Sequence, residues 1–232
     1  MSNNLALDGV NKKIDQPSVQ KGVYGSALVT SWSNTAVYSY ANRVFVPAQT
    51  IPAGGADIIV IQGSASTITD SVNGAITQRT VKIQSVMLSA ESASTTGVLI
   101  PASVIRRITN STGGTKSQLG ATPHDVNDVN QSAVVSVYTA NPTVGTAFGA
   151  AATPAANGIL GQQFLIAASN AGTVAPAPAQ WLLEQMGIKP WILRGASDFI
   201  AINLNAGIVI PTGGVYIDFE IDIEEDWSTG GG

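Results

Sequence analysis

From position 215 to 224 the chain alternates without a break. Val215, Ile217, Phe219, Ile221 and Ile223 are apolar, and Tyr216, Asp218, Glu220, Asp222 and Glu224 between them are polar or acidic. Successive side chains of a strand point to opposite faces, so this period predicts a strand with one buried and one wet face. Its acidic outer face discourages pairing with the edge of another chain. Upstream, Ile200, Ile202 and Leu204 share one face of a predicted strand over 199–205. Between the two strands, Ile210-Pro-Thr-Gly-Gly214 predicts a reversal, because Pro211 presets φ and paired glycines accept positive φ. A short strand is predicted over 189–194, stopping at Gly195.

The N-terminal half repeats the style. Strands are predicted over 43–46 and 57–62, separated by a second Ile-Pro-x-Gly-Gly turn, Ile51 to Gly55. A long strand is predicted over 77–88. There Val81 and Ile83 share one face and Val86 and Leu88 the other, a phase switch near Ser85 that predicts a β-bulge or bend. Further strands are predicted over 98–100, 103–109, 133–139 and 162–167. About nine or ten short strands with Gly, Pro and Asn punctuation point to a mostly β chain, an antiparallel, jelly-roll-like β-sandwich.

One short helix is predicted, with Pro178 in its first turn, Gly187 at its end, and Leu182 and Met186 on one face beside Trp181 and Leu183. Residues 1–20 read as a polar arm. Residues 21–232 read as a single sandwich domain with long irregular loops and an Ala/Gly/Pro-rich insertion at about 140–179.

Composition narrows the function classes. Of 232 residues, 44% are hydrophobic and only 11% charged, so the polar surface must come largely from Ser, Thr, Asn and Gln. A net charge of −4 argues against a nucleic-acid partner, and Lys12-Lys13 and Arg106-Arg107 read as solvated surface pairs. The absence of cysteine excludes disulfides, thiol catalysis and thiolate metal sites. The polar N-terminus has no apolar signal core, and no stretch is long and apolar enough to span a bilayer, so no membrane partner is expected.

Few residues invite chemistry. His124 is the sole histidine, so a Ser-His-Asp arrangement would have to use it, with Asp125 or Asp128 and a distant serine. Its surroundings, Thr122-Pro-His-Asp-Val-Asn-Asp-Val-Asn130, read instead as a turn-rich loop. Asp125, Asn127, Asp128 and Asn130 supply oxygens suited to calcium, but their spacing is not that of an EF-hand. Glu224, Glu225 and Asp226 beside Trp227 could serve as a carboxylate pair for glycoside hydrolysis. Hydrated strand-end acids are the simpler reading, because strand neighbours face opposite sides. Trp32, Trp181, Trp191 and Trp227 lie on separate segments and read as core or interface anchors rather than a sugar platform. No catalytic residue, cofactor site or metal site is therefore assigned.

Residues 98–137 and 189–227 carry a further pattern. Val104-Ile-Arg-Arg-Ile-Thr-Asn-Ser-Thr-Gly-Gly-Thr115 is followed by His124-Asp125. The end carries Pro190-Trp-Ile-Leu-Arg194, then the apolar strand over 199–205, then a final strand closing in acids and Trp227. This resembles a loose set of tailed-bacteriophage virion structural proteins, the capsid decoration, auxiliary or minor structural proteins. About a third of the chain takes part by this count of segments.

The resemblance implies a non-enzymatic, virion-associated role and supplies no catalytic residues. The expectation is a protein made in the host cytoplasm that decorates or cements the capsid. Its partners would be the major capsid protein or other virion proteins. A homo-oligomer is expected, with a trimer matching the three-fold positions of capsids. The alternatives are a tail, collar or baseplate component, a jelly-roll major capsid protein, a glycan- or receptor-binding module using Trp32 or Trp227, and a hydrolase.

Overall fold

The computed structural model describes residues 35–69, 76–126, 131–139, 143–148, 158–170, 178–183 and 187–226. In chain order its strands are β1 (Thr35–Val46), β2 (Gln49–Thr50), β3 (Ala56–Gln62), β4 (Thr67–Thr69), β5 (Ile76–Gln78) and β6 (Thr80–Ser92). There follow β7 (Val98–Arg107), β8 (Lys116–Gln118), β9 (Thr122–Pro123), β10 (Val134–Tyr138) and β11 (Ile159–Ala167). The last are β12 (Ala179–Leu182), β13 (Trp191–Arg194), β14 (Phe199–Leu204), β15 (Val209–Ile210) and β16 (Val215–Asp226). The expected mostly β, antiparallel sandwich is what forms.

Two six-stranded sheets carry the body. Sheet one runs β12-β6-β16-β1-β9, with β13 also on the β6 edge. Sheet two runs β11-β7-β14-β3-β10-β8. The pairs are nested. β1 pairs with β16, β3 with β14, β6 with β12 and β13, and β7 with β11, all antiparallel. The chain is thus one long hairpin folded over on itself, with its outermost and third pairs in one sheet and its second and fourth in the other. Lateral pairing of β16 with β6, and of β14 with β7, joins them.

The core lies between the sheets. It takes the inward positions predicted from the alternation, Ile217, Ile221 and Ile223 on β16 and Ile200, Ile202 and Leu204 on β14, with Tyr38 and Tyr40 from β1. The predicted irregularity in β6 is present. Asp222 pairs with Ser85 and Ile223 with Ile83, so Gln84 is the extra residue that shifts the inward face from Val81 and Ile83 to Val86 and Leu88. Both Ile-Pro-x-Gly-Gly turns close alike: Gly55 N–H donates to the Pro52 carbonyl and Gly214 N–H to the Pro211 carbonyl, each at 2.8 Å.

The predicted helix is not there. Ala179–Leu182 is strand β12, and no helix occurs among the described residues. Residues 184–186, with Met186, lie outside them. Spacing by two decides the outcome. Ala179, Trp181 and Leu183 all turn inward, while the backbone of β12 pairs with Ser85 to Leu88 of β6. A helix would leave that β6 edge without partners. Trp181 can lie here because Gly161 faces it; a Cβ there would sit 2.5 Å from the indole Nε1.

Two predicted strands, over 98–100 and 103–109, are one strand interrupted in sequence by Pro101. That proline sits one residue past the last β14 pair, Leu204 with Ala102, where its missing N–H costs little. The polar arm over 1–20 lies outside the described residues. So does much of the 140–179 insertion, although residues 143–148 bridge to the end of β7 and the segment after it through Arg107 with Ala147 and Thr112 with Thr143.

Candidate functional site

The outer face of sheet one is an acidic ladder. Asp218, Glu220, Asp222 and Glu224 project outward from β16, and the register decides what stands beside each. Arg43 and Ser89 flank Asp218, Ala41 and Met87 flank Glu220, Ser39 and Ser85 flank Asp222, and Val37 and Lys82 flank Glu224. Arg43 grips Asp218 with two hydrogen bonds of 2.6 and 2.8 Å. That hydrogen bonding holds the guanidinium pKa above its ordinary value. Lys82 Nζ lies 3.6 Å from Glu224.

Asp222 takes hydroxyls instead of a cation. Ser39 Oγ donates to its Oδ1 at 2.5 Å and Ser85 Oγ to its Oδ2 at 2.7 Å. Here the structure brings His124 to a serine and an acid, as the sequence allowed. β9 pairs with Tyr38 and Ser39 of β1, and His124 N–H donates to the Val37 carbonyl, which sets its Nε2 2.7 Å from Ser39 Oγ.

The order of the three is wrong for nucleophilic catalysis. A hydroxyl has one hydrogen, and Ser39 gives it to Asp222, so His124 Nε2 must donate to Ser39. A general base must accept from the serine instead. His124 is also exposed, on an open sheet face. The distant serine is Ser39, and Asp222 stands beyond it. Asp125 is exposed, while Asn127, Asp128 and Asn130 lie outside the described residues. Among the described residues, no three His, Asp or Glu side chains converge as a metal cluster.

The acids at the end of β16 need a correction. Glu224 is half-buried beside Lys82, but Glu225 is fully buried. The alternation that turns Ile221 and Ile223 inward turns Glu225 inward too, a parity visible in the sequence. Its carboxylate receives the Ser132 hydroxyl at 2.9 Å and the Ala133 N–H at 2.7 Å, with Arg79 Nη1 at 3.4 Å. Glu225 thereby ties sheet one to the start of β10 in sheet two. Burial, and then the Glu225 charge, pushes the neighbouring Tyr40 hydroxyl pKa well above its ordinary value. This carboxylate is committed to structure, and Glu224, its neighbour on the strand, stands on the opposite face beside Lys82.

Arg106-Arg107 also needs a correction. Arg107 is buried, holding Asp57 through bonds of 3.1 and 2.7 Å. Ser111 Oγ and Asn203 Nδ2 complete the Asp57 carboxylate at 2.6 and 2.7 Å. Arg106 is half-buried and reaches Asp198 and the Ile192 carbonyl, both at 2.9 Å. The sequence reading missed this cluster; its signal was one acid, Asp57, inside an otherwise apolar strand.

Among the described residues, nothing covers the remaining half of sheet two's outer face. On β7 and β11 the inward positions Ile100, Ala102, Leu165 and Ala167 fill the core. The outward ones form cross-strand pairs Leu99 with Ile166 and Pro101 with Phe164. Leu99 is 53% exposed, Phe164 61% and Ile166 52%. Trp181 is buried and Trp191 packs on the core, as anchors do; Trp32 and Trp227 lie outside the described residues.

No family model matches the chain, and no curated protein matches it. A solved chain described as "Structure of a marine algae virus of the order Picornavirales" is similar over 100% of this chain and 88% of its own, at 10% identity and a TM-score of 0.27. A TM-score that low carries no argument about this chain.

Proposed function

We propose that the chain is a non-enzymatic structural protein of a tailed-phage virion that decorates or cements the capsid through contacts between subunits. The observation that carries this reading is the apolar strip of Leu99, Pro101, Phe164 and Ile166 on the outside of a sandwich whose interior is already filled. Bare apolar surface of this kind is favourable only when a partner covers it. The nested pairing of first with eighth, second with seventh, third with sixth and fourth with fifth strand positions supports a jelly roll, an architecture used by capsid proteins, lectins and cupins. Cupin-like chemistry would place histidine between the sheets, whereas His124, just after β9, stands on the outside against Ser39 of β1. A glycan platform of tryptophans loses Trp181 to the core.

Cryo-electron microscopy of the intact particle tests the reading. Hundreds of copies on the shell are expected; about six to a few dozen at one vertex would move the protein to a tail, collar or baseplate. Absence from the particle would overturn the structural role. So would a hydrolytic activity that His124→Ala abolishes.

A further inference from the structure

We propose that residues 108–115 and 143–148 form a strap across the outer face of sheet two that opens while the sandwich stays folded, and that Ser111 is its latch. Opening uncovers a second apolar cluster, Val60, Tyr138, Phe199 and Ala201. The inference goes beyond the reading above and does not depend on it.

Topology puts the strap there. β7 and β8 are consecutive in the chain, yet β14, β3 and β10 stand between them in sheet two. At about 4.8 Å per strand, the connection has to travel roughly 19 Å across them. It crosses the face, because Ser111 meets two outward side chains. Its Oγ donates to Asp57 Oδ2 at 2.6 Å, and its carbonyl accepts from the Tyr138 hydroxyl at 3.0 Å. Residues 143–148 lie along it. Thr112 and Thr143 exchange backbone bonds of 2.9 and 2.7 Å, and Ile108 N–H donates to the Thr146 carbonyl at 2.8 Å. Gly145 N–H donates to Ser111 Oγ at 3.2 Å, so one hydroxyl holds both limbs. β14 turns Ile200 and Ile202 into the core, so Phe199 and Ala201 face outward, with Val60 opposite Ala201. Arg107, where the strap begins, pairs with Phe199.

What holds the strap is polar. Among the described residues, neither apolar cluster includes any of its side chains. Its large apolar ones, Ile108 and Phe148, are 48% and 56% exposed. Its turn takes positive φ at Gly113 and Gly114, and a Cβ on Gly113 would meet nothing within 4 Å. Segments with few buried apolar contacts and exposed backbone bonds open at lower free energy than a core does. When this one opens, Ser111 leaves Asp57 still bonded to Arg107 and Asn203, which belong to the sheet. The step therefore breaks a latch and keeps the buried ion pair. Closed, the strap keeps Phe199 and Ala201 from water and from other chains. Open, it offers the centre of sheet two as an apolar surface.

The absence of cysteine allows a direct test. Full-length Ala201→Cys, under the strap, and Ala102→Cys, on the inner face of the same sheet, are each treated with a thiol reagent. The opening equilibrium read from each labelling rate is compared with that variant's own unfolding equilibrium in urea. Ala102→Cys should label only through global unfolding, and Ala201→Cys should open roughly tenfold or more beyond it. Adding Ser111→Ala to Ala201→Cys should raise the opening roughly tenfold again, the usual weight of a hydrogen bond to a charged group. Ala201→Cys labelling only through global unfolding would overturn the inference, as would Ser111→Ala without effect. Hydrogen exchange on the unaltered chain reads the same opening without any substitution. The amides of Thr112, Thr143, Gly145 and Phe148 should exchange well ahead of those of β6 and β16. Exchange of the two sets together would overturn the strap even if a cysteine variant failed to fold.

Discussion

The two outer faces of the sandwich obey the same alternation and end in opposite chemistry. On sheet one, every outward position of β16 from Asp218 to Glu224 is acidic, and the register supplies Arg43, Ser39, Ser85 and Lys82 to three of the four. On sheet two, the outward positions of β7 and β11 carry Leu99, Phe164 and Ile166, each more than half exposed, while the neighbouring half is roofed over the Asp57–Arg107 pair. A strand's period fixes which side chains face out. What those side chains are decides whether the face stays in water or asks for a partner. The acidic face resists association; the bare half of the other invites it.

Breaking the roofed half should cost most. Asp57→Ala leaves Arg107 buried without its carboxylate, and should remove about 3–5 kcal/mol of stability in urea unfolding. A loss under about 1 kcal/mol would mean the buried pair is dispensable and the roof is not held by it.

The tie between the sheets comes next. Glu225→Gln keeps the shape but loses the charge that Ser132, Ala133 and Arg79 share, and about 1–3 kcal/mol should go with it. Tyr40, beside Glu225, sharpens the point through pH. Its folded pKa is raised, so its contribution is complete below the unfolded tyrosine value of about 10 and is lost as pH climbs above it. Stability curves should therefore fall above about pH 10, and Tyr40→Phe should flatten that fall. Equal slopes for the two proteins would contradict the burial of Tyr40.

The acidic face should respond least. His124→Ala and Glu220→Ala are each expected to change unfolding free energy by no more than about 0.5 kcal/mol, because both groups are solvated. A larger loss on His124→Ala would turn its contact with Ser39 from a surface bond into a structural one.

Much of this was legible in the residues. The strict period of 215–224 gave β16 and its inward set, and Gly195 and the two Pro-x-Gly-Gly turns marked real ends. The phase switch at Ser85 located the extra residue of β6. All the failures but one share a cause: they depended on pairing between distant segments. β12 looked helical because Leu182 and Met186 are four apart, yet the β6 edge selected the equally present spacing of Ala179, Trp181 and Leu183. Arg107 looked like half of a surface pair because its partner, Asp57, lies fifty residues away. Glu225 was the avoidable miss, since counting the alternation one step further turns it inward. Ser39 reaches His124 only through the short β9–β1 pairing, which no local pattern announces.

Sedimentation equilibrium of the full-length chain beside Phe164→Asp and Glu220→Ala tests the central claim most directly. The account predicts that the unaltered protein and Glu220→Ala sediment as the same closed oligomer, and that Phe164→Asp falls to the mass of one chain with its thermal midpoint unchanged. One mass for all three proteins, or a monomer throughout at every concentration, would contradict it.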